Sequence, residues 1–120
     1  MLADQRQDLK ERTFDFALRV VKLVNHLPKN TSGCVLGKQV LRAATSVGAN
    51  CEEAHAGYSR DDFVFKLKVA LREAREARYW LRLLKSSKLV EPSRLESIID
   101  EAEQIKKILG AIVSKSRAKR

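Results

Sequence analysis

Apolar residues return every three or four positions along this chain in four blocks, each followed by a short polar break. In the first, Phe16, Ala17, Val20, Val24 and Leu27 share a face that Phe14 and Val21 widen, which predicts a helix from about Asp8 to Leu27. Pro28 ends it, because the residue before a proline is pushed out of the helical region. Lys29-Asn-Thr-Ser-Gly33 reads as a loop. The second block sets Leu36, Val40, Ala43, Val47, Cys51 and Ala54 within about 80° of arc and predicts a helix from about Val35 to Ala56. Most of its lining is small, so a neighbouring backbone can come close, and it reads as the central helix.

Gly57-Tyr58 marks a turn, after which Ser59 reads as an N-cap with Asp62 three residues on. The third helix is expected from Arg60 to about Ser86, with Phe63, Leu67, Ala70, Ala74, Ala77, Leu81 and Leu84 on its inner face. Lys88 to Glu91 forms the next connection, and Pro92 suits a first helical turn. The fourth helix carries Leu95, Ile98, Ile99, Ala102, Ile105, Ile108, Leu109 and Ile112, an arc wide enough for a core and a second contact. Four helices of about 20 residues joined by short loops predict an all-α, antiparallel up-down-up-down four-helix bundle. It forms one domain over residues 1–113, and residues 114–120 read as a disordered basic tail.

Charge alters this picture in one respect. The chain carries 24 Lys+Arg against 15 Asp+Glu, and residues 59–88 alone hold nine basic side chains to four acidic ones. Lys68, Arg72, Arg75, Tyr79 and Arg82 fall on the outer face of the third helix, flanked by Arg78 and Lys85. Such a face suits tracking of phosphates, with arginine for bidentate contact and Tyr79 for stacking on an unpaired base. The bland alternative is an ordinary solvated face.

A second polar stripe, Arg42, Ser46, Asn50 and Glu53, runs beside the apolar one on the second helix. On the third, Glu73 lies inside the apolar arc and Glu76 at its edge, and both fall level with Arg42 across an antiparallel pair. A buried or half-buried Arg42–Glu pair is expected, fixing helix register more than adding stability. A solvated face and a ligand site are the other readings.

Catalytic signals are thin. Glu52-x-x-His55 matches half of a di-iron bundle motif, but the other histidine, His26, has no acid at the matching spacing. No nucleophile elbow and no P-loop occur. Cys34 and Cys51 show no C-x-x-C spacing, a reduced pattern, with Cys51 in the core stripe. No apolar run reaches the roughly 18 residues of a membrane span, and the opening Met-Leu-Ala-Asp is too polar for a secretory signal. The expectation is a cytoplasmic, non-enzymatic protein with no cofactor, no metal, no membrane partner and no evident small-molecule substrate.

Several runs are specific. Leu41-Arg-Ala-Ala-Thr-Ser-Val-Gly-Ala-Asn50, Glu53-Ala54, Ser59-x-x-Asp-Phe63-x-x-Lys-Leu67, Glu73-Ala-x-Glu76 and Tyr79-Trp-Leu-x-Leu-Leu84 resemble the family first noticed as reading frames in intervening sequences of bacterial 23S rRNA genes. Arg12-Thr-x-x-Phe16-Ala-Leu-x-Val and Leu27-Pro28 match its opening, so the resemblance spans roughly residues 9–110. It implies an up-down bundle assembled as a ring-shaped homopentamer, with no demonstrated enzymatic activity. It also implies nucleic-acid binding by analogy, because related small bundles serve as accessory factors beside retroelement reverse transcriptases. The matching residues are those of the polar stripe: Arg42, Ser46, Asn50, Glu53, Glu73 and Glu76. Two positions depart from the pattern. Position 57, often arginine in look-alikes, is glycine here, and position 52, which can be basic, is Glu52. Both departures remove positive charge near the turn between the second and third helices.

Overall fold

The computed structural model describes residues 3–56 and 59–118. They form helices α1 (Ala3–Val24), α2 (Thr31–Ala54), α3 (Arg60–Ser87) and α4 (Glu96–Ala118), with a 3-10 turn at Pro92–Arg94. Successive helices run antiparallel, and the bundle measures 47 × 21 × 20 Å. The fold is the expected all-α four-helix bundle.

Around the bundle, α2 packs on both α1 and α3, and α3 packs on α4, whereas α1 and α4 barely meet. The tight side follows from small residues. Ala43, Ala44 and Val47 of α2 and Ala70, Ala74 and Ala77 of α3 are all buried, so the two backbones come together with little side chain between them. Larger groups, among them Phe16, Leu67, Leu81, Leu84, Leu95 and Leu109, fill the centre. Thr13 is buried on α1; its hydroxyl donates back to the Leu9 carbonyl at 2.9 Å, so the helix itself satisfies it.

Helix ends depart from expectation where side chains take over backbone groups. Helix α2 begins at Thr31, within the segment expected to be loop, because the Asn30 side chain accepts from the Gly33 amide at 2.8 Å and caps it. Gly33 is required there, since a Cβ would stand 2.0 Å from the Pro28 carbonyl oxygen. Ser59 caps α3 as expected, accepting from the Asp62 amide at 3.1 Å. The expected turn at Gly57-Tyr58 lies outside the described residues. Lys88 ends α3 in the left-handed region, at φ 59°.

At the other end, the tail expected from residue 114 is helical to Ala118. Val113 is buried, and the Arg60 guanidinium donates to the Ser116 carbonyl at 3.2 Å, holding the last turns against α3. Lys119 and Arg120 lie outside the described residues. Phe14 and Val21, expected to widen the inner face of α1, are instead exposed, Phe14 by 65%. On α3 Val64 is buried, while Phe63 stands half-buried, edge-on to His55 with ring centres 5.5 Å apart.

Candidate nucleic-acid interface

Helix α3 turns Leu67, Ala70, Ala74, Ala77, Leu81 and Leu84 inward, and its opposite side faces out. Lys68, Arg72, Arg75, Tyr79 and Arg82 are all exposed. Among the described residues, none of these four cations is ion-paired. The flanking Arg78 is different: it meets Glu103 of α4 at 2.9 Å, and Lys106 meets the same carboxylate at 3.0 Å. The hydrogen bond from Lys106, with the fields of Lys106, Arg78 and Lys107, holds Glu103 below the usual carboxylate range against a smaller opposing effect of burial.

Beside this face, toward α2, lies the polar stripe. Glu73 is buried at 4% exposure, and Arg42, half-exposed, reaches over from α2 to donate to it at 2.7 Å. A second Arg42 nitrogen donates to Glu76. The hydrogen bonds to Glu76 and then Glu73 raise the guanidinium pKa further, so Arg42 stays charged. Partial burial pushes the Glu76 carboxyl upward, but donation from the Trp80 indole at 3.2 Å and from Arg42 outweighs it, leaving Glu76 below its ordinary value. Trp80 in turn carries the Tyr79 ring edge-on, with centroids 5.0 Å apart. The stripe therefore props the one aromatic of the basic face through the contacts Arg42–Glu76–Trp80–Tyr79.

The rest of the stripe is separate. The Asn50 amide donates to the Ser46 carbonyl at 2.8 Å and hydroxyl at 3.1 Å, a local pairing within α2. Glu53 is exposed and stands apart from the Arg42 cluster. Glu52 meets Lys10 at 3.6 Å, and His55 uses Nδ1 on the Cys51 carbonyl at 2.7 Å, so the Glu-x-x-His pair serves the end of α2. Among the described residues no group of three or more His, Cys, Asp or Glu is placed to hold a metal ion. Burial pushes the Cys51 thiol up to about 11, the reverse of what a nucleophile needs. Cys34 is exposed. Among the described residues no helix is long and apolar enough to cross a membrane.

Two features had no local sequence signal. The Arg12 guanidinium forks onto Glu101 of α4 at 2.7 and 2.8 Å, a pairing 89 residues apart along the chain. That hydrogen bond raises the Arg12 pKa, more than burial lowers it. The second is a cleft of about 510 Å³ between the C-terminal half of α1 and the α3–α4 connection. Arg19, Lys22, His26 and Arg94 edge it, together with Glu91, over an aliphatic floor. Its cations come from two segments about 70 residues apart, and no periodicity within either joins them.

The four helices define the class as an all-α bundle, and the comparisons give its family. The 23S rRNA-intervening sequence protein family matches residues 5–111. The chain belongs to that family. It is also similar to a crystal structure from the S23 ribosomal protein family of Bacteroides thetaiotaomicron, a protein of unknown function. The two are 38% identical over 91% of this chain and 97% of that one, with a TM-score of 0.84. Among curated proteins there is no match.

Proposed function

We propose that this is a non-enzymatic, cytoplasmic, oligomeric bundle that binds nucleic acid, RNA above duplex DNA, through the outer face of α3. The observation that carries this reading is the exposure of Lys68, Arg72, Arg75 and Arg82 with no carboxylate partner among the described residues. Four unneutralised cations over roughly 21 Å of helix offer contacts to several phosphates of one backbone. Tyr79, 54% exposed among them, offers a stacking surface to an unpaired base, which favours single-stranded or looped RNA. No cofactor or metal takes part in this reading.

A ring of five copies, as the family resemblance implies, would repeat this face and multiply weak contacts by avidity. Support for assembly comes from α1, where Phe14, Leu18 and Val21 form an exposed apolar stripe at helical spacing. A closed ring joins two different surfaces, so this stripe needs an unlike partner patch on the next copy. The same stripe favours the second reading, a ring-forming protein-interaction scaffold without a nucleic-acid role.

The test is a binding titration against structured RNA, single-stranded RNA and duplex DNA at two salt concentrations. The comparison is a variant with Arg72→Gln, Arg75→Gln and Arg82→Gln, its assembly checked by light scattering. Salt-sensitive binding lost in the variant, with the assembly intact, is expected. No binding near physiological salt sinks the nucleic-acid reading and leaves the scaffold.

A further inference from the structure

The cleft at the end of the bundle where α1 and α3 finish brings together cations from two distant segments of the chain. Arg19 and Lys22 from α1 and Arg94 from the 3-10 turn gather at its rim. Among the described residues none of the three is ion-paired, although Glu91 lines the same cleft. Three cations against one carboxylate leave the rim with a net positive charge, which an anion offsets. Arg19 is also held in place, donating to the Ser97 hydroxyl of α4 at 3.1 Å. Below the rim, Leu23, Leu89, Val90 and Ile98 supply an apolar floor.

The remaining polar groups narrow the ligand. His26 Nδ1 lies 2.7 Å from the Lys22 carbonyl, which can only accept, so Nδ1 carries the hydrogen, and in the neutral ring Nε2 is an acceptor. Glu91 is a second acceptor. The cleft thus offers three cations, two acceptors and an aliphatic surface. A simple aliphatic anion offers no donor to Glu91, and a cation would be repelled by the arginines and lysine. A nucleotide presents a phosphate for the cations, a flat base for the floor, and N–H and O–H donors for Glu91 and His26. The volume, about 510 Å³, falls in the range of small-ligand sites.

We infer that this cleft is a nucleotide site, with the phosphate on Arg19, Lys22 and Arg94 and the base on the Leu23–Val90–Ile98 floor. The site is separate from the outer face of α3 and does not rest on that face binding RNA. Its occupant is either a free mononucleotide or one unpaired nucleotide of a strand.

Calorimetric titration of the full chain with AMP, GMP and UMP, and with adenosine and inorganic phosphate, tests it. A single-stranded RNA hexamer distinguishes the two sources. At least one mononucleotide should bind one per chain, about tenfold or more tighter than adenosine or phosphate alone. Changing Arg19→Gln and Arg94→Gln together should weaken it about tenfold or more. Both side chains are exposed, so the variant keeps its fold, which circular dichroism checks. The α3 variant described above should bind the mononucleotide as wild type does, so failure of one site is distinguishable from failure of the other. Tighter binding of the hexamer, weakened by the Arg19/Arg94 change, assigns the cleft to a strand; tighter binding of the mononucleotide assigns it to a free ligand. Mononucleotides that bind no better than phosphate, or binding indifferent to Arg19 and Arg94, would overturn the inference.

Discussion

Between α2 and α3 the bundle is closed by buried alanines and one buried carboxylate; between α1 and α4 it is closed by side chains reaching across. On the first side Ala43, Ala44, Ala70, Ala74 and Ala77 bring the backbones together, and Arg42 and Glu73 sit at the edge of that contact. On the second, the Arg12–Glu101 fork and the Arg19–Ser97 hydrogen bond span a seam where the helices barely meet, and the cleft opens beside it. The difference shows how one small bundle divides its labour. The side with small residues brings two backbones into direct contact, while the loosely joined side leaves an open cleft.

The largest expected effect comes from breaking the packed side at its centre. Leu81 is fully buried, and Leu81→Ala should cost about 3 kcal/mol in urea unfolding, from lost burial and an unfilled cavity. A loss below about 1 kcal/mol would mean that the core is looser than its burial implies.

Arg42→Ala comes next. It leaves the Glu73 carboxylate buried without its counter-charge, and about 2 kcal/mol is expected, moderated because half of Arg42 is open to water. Adding Glu73→Gln to that variant should recover part of the loss. The pH response sharpens the point. Because the folded-state pKa of Glu76 is depressed, its contribution is present above the unfolded value of about 4.3 and is lost as pH falls through the folded value. Acid unfolding curves of wild type and Arg42→Ala should therefore converge at low pH, and curves that stay parallel would count against the network.

The smallest effect belongs to the thin seam. Arg12→Ala removes a well-formed fork, but Arg12 is partly exposed, so about 1 kcal/mol or less is expected. A cost larger than that of Arg42→Ala would make the α1–α4 side, not the α2–α3 side, the more sensitive to loss of an ion pair.

Much of this was legible in the sequence, because helical periodicity is a local property. The inner face of α3 from Leu67 to Leu84, the Ser59 cap and the level of Arg42 with Glu73 and Glu76 all follow from angles along single helices. Where the structure departs from the periodicity, distant groups decide. Phe14 has the spacing of a core residue yet lies outside, since the placement of the neighbouring helices determines which side of a broad apolar arc is covered. Asn30 and Gly33 look like loop residues because their composition is that of a loop; here one is a cap and the other gives room to the Pro28 carbonyl. Residues 114–118 look like a frayed tail until Arg60 and Val113 hold them to the bundle. The cleft and the Arg12–Glu101 fork needed the third dimension altogether.

Trp80 is the chain's single tryptophan, and it stands between the buried carboxylate network and the exposed face, hydrogen-bonded to Glu76 on one side and touching Tyr79 on the other. All indole fluorescence of this protein therefore originates at one point, adjacent to the surface where a base would stack. The molecule carries its own optical gauge for that surface. Quenching or a spectral shift on adding RNA would report occupancy of the α3 face with no label attached, and a nucleotide entering the cleft at the end of the bundle should leave the signal unchanged.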